Sequence, residues 1–105
     1  MAKVFVDGRN VQRSRWPNLS DEELVERTRA WAERHGHEAV IVFDGEAPAG
    51  AIGSGGETAD DWLIREVPNH PGAWLVTSDR ALRDAAAEEA GRVIGGGGFL
   101  KELER

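Results

Sequence analysis

Short apolar runs alternate along the chain with longer stretches in which apolar residues recur every three or four positions. Val4 to Val6, Ala39 to Phe43 and Ala73 to Val76 are continuous and of strand length, as strands covered on both faces are. A helical pattern follows each of them. Strands alternating with helices predict a parallel sheet and an α/β fold.

The helical stretches carry boundary signals. Ser20 is placed as an N-cap, Glu23 completes a capping box three residues on, and Leu19 with Leu24 forms a hydrophobic staple. That helix is expected to reach about His35, before Gly36, and to lay Leu24, Thr28, Trp31 and Ala32 on the sheet as one face. From Glu57 to Val67 the residues Ala59, Leu63 and Val67 share helical spacing, and Pro68 ends the pattern because proline disfavours a helical residue before it. Ser78 is expected to cap a helix from Asp79 to about Glu89. Val93 and Ile94 read as an edge strand, and Phe99 to Leu103 as a closing helical turn. Between Asp44 and Glu57 glycine and proline are too frequent for a helix, so a rim loop is expected, and Gly95 to Gly98 reads as a flexible turn.

With 105 residues, of which 40% are apolar, the chain can form one core, and residues 1–105 are expected to be one domain. There is no cysteine, which excludes a disulfide framework and thiolate-bound zinc. The N-terminus turns acidic at Asp7 after three apolar residues, too soon for a signal-peptide core, and no apolar run approaches bilayer length. The expectation is a cytoplasmic protein with no membrane partner. A net charge of -6 argues against a broad basic face for nucleic acid. It is compatible with a nuclease, because cations bound by clustered carboxylates reverse the potential that a phosphate meets. The positive charge is itself clustered: Arg9, Arg13 and Arg15 stand beside Trp16, and Arg80 and Arg83 beside Asp79.

Candidate chemistry lies at the strand ends. Asp7, Asp44 and Asp79 each fall at or just beyond the C-terminal end of a predicted strand, the edge where open α/β sheets bind ligands. Glu57, Asp60 and Asp61 share one face near a helix start. Carboxylates crowded in a cleft repel one another and need protons or cations, and such oxygen ligands suit Mg²⁺ or Mn²⁺. Each acid also has a purely structural reading: Asp-Gly as turn chemistry, the Glu57 group as a complement to a helix dipole, Asp79 as a first-turn acid. Four segments delivering acids to one edge favour the site. Asn10 could orient a water or phosphate, or form an Asx turn; Thr77 and Ser78 could bond a phosphate or carboxylate, or cap a helix. Arg9, Arg13, Arg15 and Arg80 could grip a phosphodiester backbone and Trp16 stack a base, or all could be ordinary surface residues. His35, His37 and His70 lack metal-motif spacing and read as surface residues. A Walker loop, a Gly-x-Ser-x-Gly elbow and a dinucleotide site are absent, and a phosphoryl-accepting domain would want a lysine after a late strand, whereas the only lysines are Lys3 and Lys101.

The stretches Val6-Asp7-Gly8-Arg9-Asn10-Val11, Val42-Phe43-Asp44-Gly45, Glu57-Thr58-Ala59-Asp60-Asp61 and Val76-Thr77-Ser78-Asp79-Arg80, with Phe99 to Leu103 closing, are spread over most of the chain. In that order they resemble an NYN domain of the YacP-like kind, a branch of the PIN-like nuclease superfamily. The resemblance implies a single-domain Rossmann-like, PIN-like three-layer sandwich with a mainly parallel sheet, an acidic pocket, Mg²⁺ or Mn²⁺ as cofactor and RNA as substrate. It implies Asp7, Asp60 and Asp79 as the metal-binding acids of a metal-dependent endoribonuclease, supported by Asn10, Asp44 and Glu57. The chain departs from the family pattern at Arg9, where an aromatic residue is frequent, and after Asp44, where it is shorter and richer in glycine. Two rival readings keep the fold: a non-catalytic RNA- or ribosome-binding module, which the intact acids oppose, and a metal-dependent small-molecule phosphatase, which requires a closed narrow pocket.

Overall fold

The computed structural model describes residues 2–86 and 88–104. Its strands are β1 (Lys3–Asp7), β2 (Glu38–Phe43), β3 (Ile52–Gly53), β4 (Trp74–Val76) and β5 (Arg92–Ile94). All pair in parallel, in the order β3-β2-β1-β4-β5. β1 is central: Lys3 to Asp7 lie beside Glu38 to Val42, and Val4 to Val6 beside Trp74 to Val76. The chain leaves β1 in one direction for β2 and β3 and later in the other for β4 and β5, so the strand order reverses between β1 and β4.

Alternation along the strands divides the core in two. Val4, Val6, Ile41, Phe43 and Val76 face α1 (Gly8–Arg13), α2 (Asp21–His35) and α5 (Gly96–Leu103), where Val11, Leu24, Trp31, Phe99 and Leu100 meet them. Phe5, Val42 and Leu75 face α3 (Ala59–Glu66) and α4 (Arg80–Ala86), where Ala59, Leu63, Leu82 and Ala86 meet them. The result is the three-layer parallel α/β sandwich expected, with each fully buried Val, Leu or Phe contributing about 1.5–3 kcal/mol. No helix among the described residues is long and apolar enough to cross a membrane.

The start and stop signals of α2 operate as expected. Ser20 Oγ accepts from the Glu23 amide at 3.1 Å, and Gly36 ends the helix in the left-handed conformation. The reciprocal half of the capping box differs: the Ser20 hydroxyl itself donates to the Glu23 carboxylate at 3.3 Å. Pro68 stops α3 at Glu66 and sits in a 3₁₀ turn, Val67–Asn69.

Several of these readings are corrected. Asp7-Gly8 is not a turn, because β1 passes directly into α1 at Gly8; a Cβ there would meet the Phe43 ring at 2.8 Å, so glycine lets the helix start against the sheet. The loop after Asp44 contains the two-residue strand β3, held by the Ser54 amide donating to the Phe43 carbonyl at 2.9 Å. Asp79, not Ser78, caps α4, accepting from the Leu82 amide at 3.0 Å. The helix is described to Ala86, Glu88 and Glu89 form a turn, and Ala87 lies outside the described residues. Finally, Gly96 to Gly98 are the first turn of α5, where Gly96 packs so closely on Ser14 that a Cβ would overlap its hydroxyl.

Candidate functional site

At the C-terminal edge of the sheet, where the strand order reverses, an open hollow of about 270 Å³ is lined by Asp7, Asp44, Asp60 and Asp79 together with Arg9, Asn10, Arg13 and Thr58. Each aspartate arrives on a different element. Asp7 ends β1, Asp44 follows β2, Asp60 lies in the first turn of α3 and Asp79 caps α4. Crevices at such a switch point collect side chains from several strand ends.

Three of the four carboxylates are fixed by hydrogen bonds. Asp7 Oδ2 accepts from the Thr77 hydroxyl at 3.0 Å, and Thr77 Oγ1 in turn accepts from the Asp79 amide at 3.1 Å. Asp44 Oδ1 accepts from the Ala59 amide at 2.7 Å, which seats the start of α3 against the end of β2. Asp79 is oriented by the Leu82 amide. Asn10 Oδ1 accepts from the Ser78 amide at 2.7 Å, tying the first turn of α1 to the loop after β4.

The electrostatics follow from burial and crowding. Asp7 is only 4% exposed. Burial pushes its carboxyl up to about 6; the bond from Thr77 opposes this, and the neighbouring Asp60 and Asp44 push in the same direction as burial. Asp60 is also raised, first by burial and then by Asp79, Asp44 and Asp61. Mutual repulsion in an oxygen-lined hollow is the environment that a hard divalent cation relieves, so the donor set fits Mg²⁺ or Mn²⁺ chemically. In the described geometry no three acidic, histidine or cysteine side chains yet converge to hold one ion. Asp44 and Asp79 are turned towards backbone amides instead.

The remaining candidates are distributed more widely. Arg9 lines the hollow while donating to Asp21 at 2.7 Å and Gln12 at 3.1 Å, its guanidinium 5.3 Å from the centre of the Phe43 ring. Arg13 lines the hollow and is exposed. Glu57 is turned away, paired with Arg65 at 2.6 Å, and that arginine holds its carboxyl below the usual range. Ser78 is exposed, and its hydroxyl accepts from the Gly96 amide at 2.8 Å. Arg80 is exposed at the start of α4. Arg15 and Trp16 line a separate groove against α5, where Arg15 pairs with Glu104.

Sequence reasoning did not place Thr58 or Gln12. Thr58 lines the hollow and caps α3 by accepting from the Asp61 amide at 3.1 Å; a threonine three residues before an acid was its signal. Gln12 is buried and donates to Asp21 at 2.6 Å and to the Leu19 carbonyl at 3.1 Å, for which the sequence held no signal. His37, expected at the surface, is half-buried, its ring 4.6 Å from Trp74 and 5.4 Å from Trp31.

No family model and no curated protein matches the chain. Among solved structures it is similar to Rae1 (YacP) from Bacillus subtilis. A tryptophan-to-leucine mutant of that protein superimposes with a TM-score of 0.82 at 21% identity, over 99% of this chain and 76% of the other. A second Rae1 (YacP) structure gives 0.75 at 17% identity, over 99% and 74%. At these identities the likeness is one of fold.

Proposed function

We propose that the acidic hollow is the centre of a metal-dependent endoribonuclease. The observation that carries this reading is the meeting of four aspartates from four elements at the switch point of a parallel sheet, beside two arginines. The motif resemblance to YacP-like NYN nucleases and the fold likeness to Rae1 (YacP) point the same way. RNA as substrate rests on that resemblance.

Asp7, Asp60 and Asp79 are the residues that would hold Mg²⁺ or Mn²⁺, with Asp44 beside them; the chemistry such an ion supplies is a lowered pKa for water and neutralised charge on phosphodiester oxygens. Arg9 and Arg13 at the rim attract and orient the phosphate. Thr77 and Asn10 are positioning residues: one fixes Asp7 and the Asp79 amide, the other fixes the approach of the two strand ends. Glu57, held by Arg65, is left out of the set. The open form of the hollow favours a chain substrate over a small phosphate ester.

Purified protein is incubated with end-labelled single-stranded and hairpin RNA in Mn²⁺ or Mg²⁺. Cutting is expected to stop with EDTA and to fall on the order of a hundredfold or more in Asp79→Asn. Asparagine caps helices as well as aspartate, so this variant keeps α4 while losing the charge. Metal binding without cutting would replace the nuclease with a non-catalytic RNA- or ribosome-binding module.

A further inference from the structure

Trp16 is 84% exposed, whereas Trp31 is buried and Trp62 and Trp74 are half-buried. It lines a groove of about 240 Å³ with Arg15, Arg27 and the apolar Leu19, Leu100 and Leu103. A second depression lies beside it, sharing Leu19 with this groove and Arg9 and Arg13 with the acidic hollow. The three therefore adjoin along α1 and the segment leading into α2.

Four arginines follow this path: Arg9, Arg13, Arg15 and Arg27. Arg13 has no ion pair with a described residue. Arg15 and Arg27 pair with the exposed carboxylates of Glu104 and Glu23. Exposed pairs are screened by solvent and hold their partners weakly, so an incoming phosphate displaces them at little cost. Guanidinium groups spaced along a depression that leads to an uncovered indole are the parts from which single-strand binding sites are made, because every base offers a face to stack.

We propose that the strand flanking the scissile phosphate runs from the acidic hollow along α1 and stacks an unpaired base on Trp16. The inference rests on the nuclease reading for the position of the scissile phosphate, and it defines the substrate as RNA that is single-stranded beyond the cut. A fully paired duplex has no free base to stack.

The test uses labelled single-stranded RNAs from dinucleotide to dodecamer, with binding measured by fluorescence anisotropy in EDTA and cleavage measured separately in Mn²⁺. Affinity of the wild-type protein should rise with length. Trp16→Ala should erase that length preference, weakening the longest strands about 5- to 100-fold, and Trp16→Phe should restore most of it. KM, not kcat, should carry the change in cleavage. An equal loss at every length, or none, overturns the proposal. So does a change in oligomeric state at unaltered RNA affinity, which would make the groove a protein-docking face. The two readings fail separately: Trp16-dependent binding without turnover defeats the nuclease alone, and turnover without Trp16 dependence defeats the stacking site alone.

Discussion

Asp7 has a conflict built into it. Its carboxyl, raised from 3.8 to about 6, is ionised at neutral pH only at a cost of about 3 kcal/mol relative to the unfolded chain. The sign is that of a raised pKa: the stability held by the protonated form is fully present below 3.8 and is lost as pH rises through 6. Asp7→Asn removes the ionisation and keeps an oxygen for Thr77 to donate to. In EDTA at pH 8 the variant should therefore be more stable in urea unfolding, by up to about 3 kcal/mol, with the gain shrinking below pH 6, while RNA cleavage is abolished. No gain at pH 8 would mean that the bonds to Asp7 from the Thr77 hydroxyl and the Asn10 backbone amide already compensate the buried charge. The acids most legible in the sequence were those, like Asp7, Asp44, Asp60 and Asp79, whose strand ends and helix starts fix their place. Glu57, Arg15 and Ser78 were not, because where their side chains go depends on partners 8, 89 and 18 residues away. Spacing along one segment carries no information about such partners.

At the level of elements, α5 shows how a run of glycines can begin a helix. Helix propensity argues against Gly96, Gly97 and Gly98 in a first turn, but packing against α1 overrides it. Gly96 must be small because Ser14 and the Val11 backbone lie against it, and its amide is also the donor to Ser78. Gly96→Ala should cost about 1–3 kcal/mol by overpacking and should loosen the Ser78 link behind the acidic hollow. The adjacent Gly97→Ala meets nothing within 4 Å and should be neutral or stabilising by up to about 1 kcal/mol. Thermal unfolding of the two variants separates packing from propensity; equal effects would deny the close approach. The opposite case is α2, whose cap and stop are legible in the sequence because they lie within the element and its immediate flanks. The two-residue β3 was invisible for a related reason: its pairing depends on β2 and on the Ser54 brace, not on any period of its own.

Across the whole molecule the two edges of the sheet carry opposing pH responses. At the N-terminal edge, His37 packs between Trp31 and Trp74 and accepts a hydrogen bond at Nδ1 from the Ala2 amide at 3.0 Å, an acceptor role open only to the neutral ring. Burial lowers its pKa below 6.5, and the positive charge of His35 and Arg92 adds to this. A lowered histidine contributes stability that is present above 6.5 and lost as pH falls through the folded value, the reverse of Asp7. From the folded histidine value up to about pH 6 the two contributions oppose each other, so the metal-free protein should show a flatter stability profile there than either edge alone. Chemical unfolding in EDTA across that range should resolve them. Asp7→Asn leaves the histidine response opposed only by Asp60 and should shift the slope towards stability that rises with pH; His37→Asn keeps an acceptor for Ala2 without titrating and should shift it towards stability that falls with pH. Added Mn²⁺ should then raise the wild-type melting temperature at pH 7.5 more than that of Asp7→Asn, because the ion offsets the repulsion at one edge only. If both variants keep the wild-type slope, neither group controls the profile, and the crowding at the acidic edge is relieved by a rearrangement of the hollow.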